Sequence, residues 1–411
     1  MSTIPHAPPL SARTPWPVVG SGLVALAVAM GIGRFAFTPL MPLMMRDGTL
    51  NVAAGAEWAA ANYVGYLVGA LTASWFAGNP RLGLLLSLAG VALTTMAMAA
   101  VDHDAPAGLG AGLRAAAGVF SAWALVCASG WCLAELARRR VGALGAWIYT
   151  GVGLGIALAG TLAWLGGTQP ASRLWLELGL VAGLGALLVG SLSRGQGTAA
   201  AEIEEREAAA FARPPRNGQA ALVLCYGIFG FGYIVPATFL PAMARELASD
   251  PKVFGLTWPL FGLAAALSVA AVARWSKHVP RQRLWAAAQG IMALGTGLPL
   301  AAQTLWAVAA SAVLVGGTFM VATMAGLQLA REARPDNPTP LLARMTAAFA
   351  AGQIVGPVLV RLLGPGHWAG WNALDWTGAI ATVLLVLTAL WLWRSARPSP
   401  ESATMFTPRP L

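Results

Sequence analysis

Gly31-Ile-Gly-Arg-Phe-Ala-Phe-Thr-Pro-Leu-Met-Pro-Leu-Met44 is an apolar stretch with a single arginine, Arg34, near its middle and prolines at positions 39 and 42. The same frame returns at Gly230-Phe-Gly-Tyr-Ile-Val-Pro-Ala-Thr-Phe-Leu-Pro-Ala-Met243, which pairs Gly31 with Gly230, Gly33 with Gly232, Pro42 with Pro241 and Met44 with Met243. Gly118-x-Phe120 and Gly317-x-Phe319 repeat at the same 199-residue offset, and Gly151/Gly155 and Gly352/Gly356 follow at 201. An ordered offset of about half the chain predicts a duplicated unit, and long parallel repeats in apolar chains are a transporter signature. Arg34 has no copy: Tyr233 stands at its place. Symmetry-related positions build the scaffold, so the position where symmetry breaks is where function is expected.

Composition sets the solvent. Of the 411 residues 57% are hydrophobic and 10% charged, against about 25% charged in a soluble domain, and mean hydropathy is +0.66. A bilayer core of about 30 Å needs about 20 apolar residues per helix, and twelve runs qualify: 17–45, 55–77, 82–101, 107–136, 142–166, 173–194, 218–247, 253–274, 283–302, 304–332, 339–363 and 373–395. These runs are long, uninterrupted and rich in Leu, Ala and Gly, whereas barrel strands are short and alternating. The expectation is an all-α membrane protein of twelve transmembrane helices in two pseudo-symmetric six-helix halves, 17–194 and 218–395. A cytoplasmic segment 1–16, a polar linker 195–217 and a disordered tail 396–411 complete it. The first run passes directly into the Arg34 motif, which a cleaved signal peptide would discard, so it is read as an uncleaved span.

The net charge of +10 has no aromatic–basic module around it and implies no nucleic-acid partner. With the N-terminus inside, nineteen of the 26 lysines and arginines fall on the cytoplasmic side and five on the other. That bias predicts both termini in the cytoplasm, and the expected location of this multi-pass protein is the bacterial inner membrane. Cys127, Cys132 and Cys225 lie in apolar runs without ligand spacing, which reads as buried small hydrophobes, with no metal site or disulfide framework. No soluble segment carries a nucleophile–base pair or a nucleotide loop, so enzymatic catalysis, cofactors and ATP-driven transport have no basis in the sequence.

Twelve spans as a six-plus-six duplication around a central loop resemble the major facilitator superfamily (MFS). The string Gly31-x-Gly33-Arg34-Phe35-Ala36-Phe37-Thr38-Pro39-Leu40-x-Pro42, followed by Trp58-Ala-Ala-Ala-Asn62-Tyr63-x-Gly65-Tyr66, is similar to the YbfB/YjiJ-type branch. Arg114-x-x-x-Gly118 resembles the superfamily's RxxxG motif, whose arginine is associated with proton-coupled transport in some members; the resemblance implies proton coupling, for which Arg114 and Glu57 are the two weak candidates. The loops Gly78-Asn-Pro-Arg81-Leu-Gly83 and Arg274-Trp-Ser-Lys277-His278-Val-Pro280-Arg281 depart from the superfamily pattern by lacking its aspartate, so the usual charge latch is not carried over.

If the first span is one helix, of about 42 Å, Arg34 sits in its central third, where an arginine costs about 2.5–3.5 kcal/mol on insertion scales. It should face a cavity or a partner. Two readings stand: an anion or coupling site, or a structural arginine tied to carbonyls freed by Pro39 and Pro42. Asn62, Tyr63 and Tyr66 reach a similar depth on the second helix, as polar cavity groups or as interhelical glue. Trp123 and Trp131, with Cys127 between them, share one face of the fourth helix that either lines the cavity or packs. Arg114 lies toward the outer end of that helix, where snorkelling is possible. Tyr226, Tyr233, Gln328 and Gln353 are the candidates of the second half. Gly151, Gly155, Gly352, Gly356 and Pro357 are expected at helix-packing surfaces suited to rocking. The chain reads as a monomeric secondary transporter in membrane lipid that moves a small organic anion or amphiphilic acid, coupled to protons. A multidrug exporter and a non-transporting sensor or scaffold of the same fold are the alternatives.

Overall fold

The computed structural model describes residues 14–194 and 219–396, apart from 77–78, 103, 107, 249, 276–278, 335–338 and 365. The linker 195–217 and all but the first residue of the tail 396–411 lie outside the described residues, as do residues 1–13. Among the described residues there are twelve long helices: α1 Trp16–Arg46, α2 Val52–Thr72, α3 Pro80–Ala100, α4 Leu109–Arg138, α5 Gly145–Leu165 and α6 Ala171–Leu192 in the first half. In the second are α7 Gln219–Leu247, α8 Thr257–Trp275, α9 Arg281–Ala301, α10 Leu305–Ala333, α11 Thr339–Leu363 and α12 Ala373–Ser395. Eleven are apolar enough to cross a membrane on composition alone; α2, which carries Glu57, Asn62, Tyr63 and Tyr66, is the twelfth. No strand occurs among the described residues. The face where α1 begins and α12 ends is called the terminal face, and its opposite the distal face.

Glycines set how closely helices approach. A Cβ at Gly31 would lie 2.2 Å from the backbone of Gly155, one at Gly155 would lie 2.2 Å from Ala27, and one at Gly151 2.1 Å from Leu23, so α1 and α5 touch backbone to backbone. Gly352 makes the corresponding contact with Gly227 between α11 and α7. Because both neighbours are main chain, Gly155→Ala is expected to lower the thermal midpoint by the equivalent of about 1–3 kcal/mol. Gly112→Ala, with open space around it, should leave the midpoint unchanged or slightly raised. Equal midpoints for the two variants would remove the close-approach argument.

The halves meet along α1–α7, α2–α11 and α5–α8. The α5–α8 seam is the tightest, with Gly153 against Ala266, Gly160 against Pro259 and Gly262 against Ala157. The packing glycines named from the sequence, Gly151, Gly155, Gly352 and Gly356, all face helices of their own half instead. It is Gly153, in the middle of the same Gly-x-Gly-x-Gly run, that faces the other half.

One expectation of regularity fails. α1 is α-helical over Trp16–Leu26, widens to a π-helix over Ala27–Arg34, turns at Phe35–Ala36 and resumes as an α-helix over Phe37–Arg46. Phe35 N–H reaches back five residues to the Met30 carbonyl at 3.1 Å, and Thr38 N–H turns to the Phe35 carbonyl at 3.2 Å. Proline supplies the cause: Pro39 has no N–H to give to Phe35. In α7, where Thr238 stands at the Pro39 position, the helix runs unbroken through Pro236 and Pro241. The irregular turn therefore belongs to the copy that carries Arg34, and π segments concentrate at functional sites.

Candidate functional site

At the turn, Arg114 of α4 donates from Nη1 to the Gly33 carbonyl at 3.0 Å and from Nη2 to the Arg34 carbonyl at 2.8 Å. Its guanidinium is 5.0 Å from the Phe37 ring centroid and its side chain is buried. This corrects two expectations: Arg114 does not snorkel to the headgroups, and the arginine that serves freed carbonyls is Arg114, not Arg34. The donors answer a local need, since the turn takes Thr38 N–H away from Arg34 and a buried carbonyl without a donor is costly. Asn62 of α2 donates its Nδ2 to the Arg114 carbonyl at 2.8 Å, and so acts as glue between α2 and α4.

With its backbone held in this way, Arg34 projects its side chain toward the second half. Its Nη2 donates to Gln353 Oε1 of α11, and Gln353 Nε2 donates to the Tyr233 hydroxyl of α7. Arg34 and Tyr233, the unequal pair of the 199-residue register, are thus joined through one amide. The guanidinium carbon lies 3.9 Å from the centroid of Tyr66 and 5.3 Å from that of Tyr63, distances at which aromatic faces attract a cation. Among the described residues no carboxylate pairs with Arg34 or Arg114. The Nε of Arg34 is buried without a hydrogen-bond partner.

Arg34, Tyr66 and Tyr233 sit at the deep end of a cavity of about 530 Å³. Its walls are Met30 and Phe35 of α1, Ala70 of α2 with Ala73 and Phe76 just beyond its end, Leu125, Val126, Cys127, Ser129, Gly130, Leu133 and Ala134 of α4, Tyr149 and Val152 of α5, Met320, Thr323 and Leu327 of α10, and Thr346 and Phe349 of α11. Nearly all lie on the terminal-face side of Arg34, so the cavity opens toward that face. Toward the distal face the halves are joined. Thr38 Oγ1 donates to the carbonyl of Ala237, its own register mate 199 residues on, at 3.0 Å. Tyr63 and Thr238 share a 3.0 Å hydroxyl contact, and Trp164 Nε1 donates to the Lys252 carbonyl at 2.9 Å. Glu57 pairs with Arg361 at 3.0 Å across α2 and α11; both side chains are well exposed, and such pairs contribute little stability.

Other sequence candidates are distributed unevenly. Trp123 and Trp131 do not line the cavity: Trp123 donates to Thr72 Oγ1 at 2.9 Å and packs on Trp75, Phe76 and Phe120, while Trp131 is fully buried. The cavity face of α4 is instead the one with Cys127, Ser129 and Gly130. Tyr226 lies behind the lining, packed on Phe229, Trp285 and Phe349, and Gln328 is half-buried outside it. Pro357 sits inside α11. Sequence reasoning missed Tyr149, Ser129 and the sandwich of Tyr233 between Phe319 and Phe349, with near-parallel rings 5.4 and 5.5 Å away. Phe319 carried a signal in the repeated Gly-x-Phe; Phe349 had none.

No curated protein is matched by the sequence. Among solved structures the fold is similar to a mutant of the nucleoside transporter NupG, with a TM-score of 0.73, 12% identity, and 92% of this chain and 100% of that one covered. It is also similar to a D-xylose-proton symporter, with a TM-score of 0.68, 15% identity and 93% and 97% covered. The family described as "Uncharacterised MFS-type transporter YbfB" matches residues 26–397. The chain therefore belongs to the YbfB-type family of major facilitator superfamily transporters, multi-pass proteins of the membrane.

Proposed function

We propose that this transporter moves an organic anion with a sizeable apolar body, an aromatic or amphiphilic acid, by alternating access about Arg34. One observation carries the reading: a buried guanidinium with no carboxylate partner among the described residues, at the deep end of an otherwise apolar, aromatic cavity. Arginine stays charged in such surroundings, and its planar fork matches a carboxylate. An exporter of organic cations is disfavoured because, among the described residues, no acidic one lines the cavity. The test is a thermal-unfolding screen of the purified protein with paired probes, benzoate and decanoate against benzamide and decanamide. A ligand at a hundredfold excess over its Kd adds about 2.7 kcal/mol to apparent stability. Carboxylates should stabilise and amides should not; equal shifts from both would sink the anion reading.

The bias of basic residues supports a terminal face in the cytoplasm; on this reading the cavity opens inward and the Thr38–Ala237, Tyr63–Thr238 and Glu57–Arg361 contacts form the outer closure. Single cysteines in 195–217 and after Arg397 are expected to react with impermeant maleimide only from the cytoplasmic side, and cysteines near Asp102 or Gly366 only from outside. Labelling of the linker from outside would reverse the orientation. The driving ion of this proposal is the proton; uptake that persists unchanged with a protonophore would rule it out.

A further inference from the structure

A second concavity lies on the outer flank of the C-terminal half, away from the substrate cavity. It is a groove of about 710 Å³ between α7, α11 and α12. Small residues hollow it out, Ala220 and Gly227 on α7 and Ala347, Ala348, Ala351 and Gly352 on α11, and Ile380 and Leu384 of α12 close its far wall. Among the described residues of its lining the one charged is Arg344, five residues into α11 near the terminal face. From Arg344 to Leu359 the groove follows α11 for about 22 Å, which exceeds the roughly 15 Å hydrocarbon depth of one leaflet. A cation at headgroup level above an apolar trough of acyl-chain length has the chemistry of an anionic phospholipid.

The sequence of the other half does not repeat these residues. At the 201-residue register Ala348 corresponds to Trp147 and Arg344 to Ala143. There α6 closes on α1, with Val28 so near Gly185 that a Cβ would lie 2.5 Å from its methyl. The broken symmetry thus supplies both the trough and the charge on one side only. α11 is also a shared wall. Ala348, Ala351 and Gly352 face the groove, while Thr346 and Phe349 line the substrate cavity and Gln353 holds Arg34.

We infer that the α7–α11–α12 groove is a binding site for one anionic phospholipid, its phosphate on Arg344 and one acyl chain along Ala348 to Leu359, set against the back of the helix that carries Gln353. The experiment uses the full chain in nanodiscs of phosphatidylcholine with increasing phosphatidylglycerol, and reads the immobilised fraction of spin-labelled phosphatidylglycerol and phosphatidylcholine. One basic contact at the membrane surface is worth about 1 kcal/mol, so the parent should prefer phosphatidylglycerol about fivefold at this site. Arg344→Gln should bring the two lipids to parity. Ala348→Trp, which fills the trough and leaves the charge, should remove the immobilised phosphatidylglycerol altogether with the thermal midpoint unchanged or raised. Undiminished preference in Arg344→Gln, or undiminished immobilisation in Ala348→Trp, overturns the site. So does a parent that selects neither lipid, or an Ala348→Trp variant that changes only the oligomeric state, which would make the groove a contact between copies.

Discussion

Arg34→Ala is expected to abolish transport of an anionic substrate while the protein still inserts and folds at the parent's level. Among the described residues no carboxylate pairs with this guanidinium, so its removal strands no buried counter-charge there. What is lost is one bond to Gln353 and the attraction to the faces of Tyr66 and Tyr63, against which the cost of holding a charge at that depth also disappears. Arg34→Lys keeps the charge but offers a point donor in place of a fork. A charge-assisted hydrogen bond is worth about 1.5–3 kcal/mol, so affinity for a carboxylate should fall on the order of 10- to 100-fold with expression unchanged. Uptake and ligand-dependent thermal shifts measure both. Normal transport by Arg34→Ala with unchanged preference would end the anion-site proposal, and failure to fold would make Arg34 a structural residue.

Arg114→Gln should show the opposite pattern. Arg114 supplies two donors to the Gly33 and Arg34 carbonyls at the one place where α1 departs from α-helical bonding. Each carbonyl left without a donor in the interior costs about 1–3 kcal/mol, and two together approach the margin by which a domain is stable. The thermal midpoint of Arg114→Gln should drop well below that of Arg34→Ala. Transport should be lost with it, because the Arg34 side chain hangs from this backbone turn. Arg114→Lys, which supplies donors from a single point, should recover part of the stability. An Arg114→Gln protein as stable as the parent would show that the turn holds itself.

These two arginines mark where reading the chain succeeds and where it stops. Twelve helices, their approximate ends and two halves followed from run length and repeat spacing, because in a bilayer the backbone has to satisfy itself within each segment and hydropathy alone then parses the chain. The observed helices fall within a few residues of the spans expected, even for α2, whose polar groups dilute its hydropathy. Arg34 was legible as well: a charge at mid-depth and a broken register are both visible in a string of letters. So was its neighbourhood with Tyr63 and Tyr66, since a hairpin fixes relative depth.

Azimuth and partners were not. Trp123 and Trp131 lie one helical turn to either side of Cys127, yet Cys127 lines the cavity and the two indoles turn to α2 and the core. A helix that is apolar all round carries no stripe to show which side faces what. The meeting of Arg34 with Gln353, 319 residues away, and the assignment of the carbonyl-binding role to Arg114 rest on contacts between helices that local sequence does not encode. The residues themselves determined a membrane-spanning chain of twelve helices in two halves with an arginine at mid-span, because solvent and chain length constrain each helix separately. Only the tertiary structure decided which arginine holds the backbone and which faces the cavity, because that depends on how helices rotate and lean once packed.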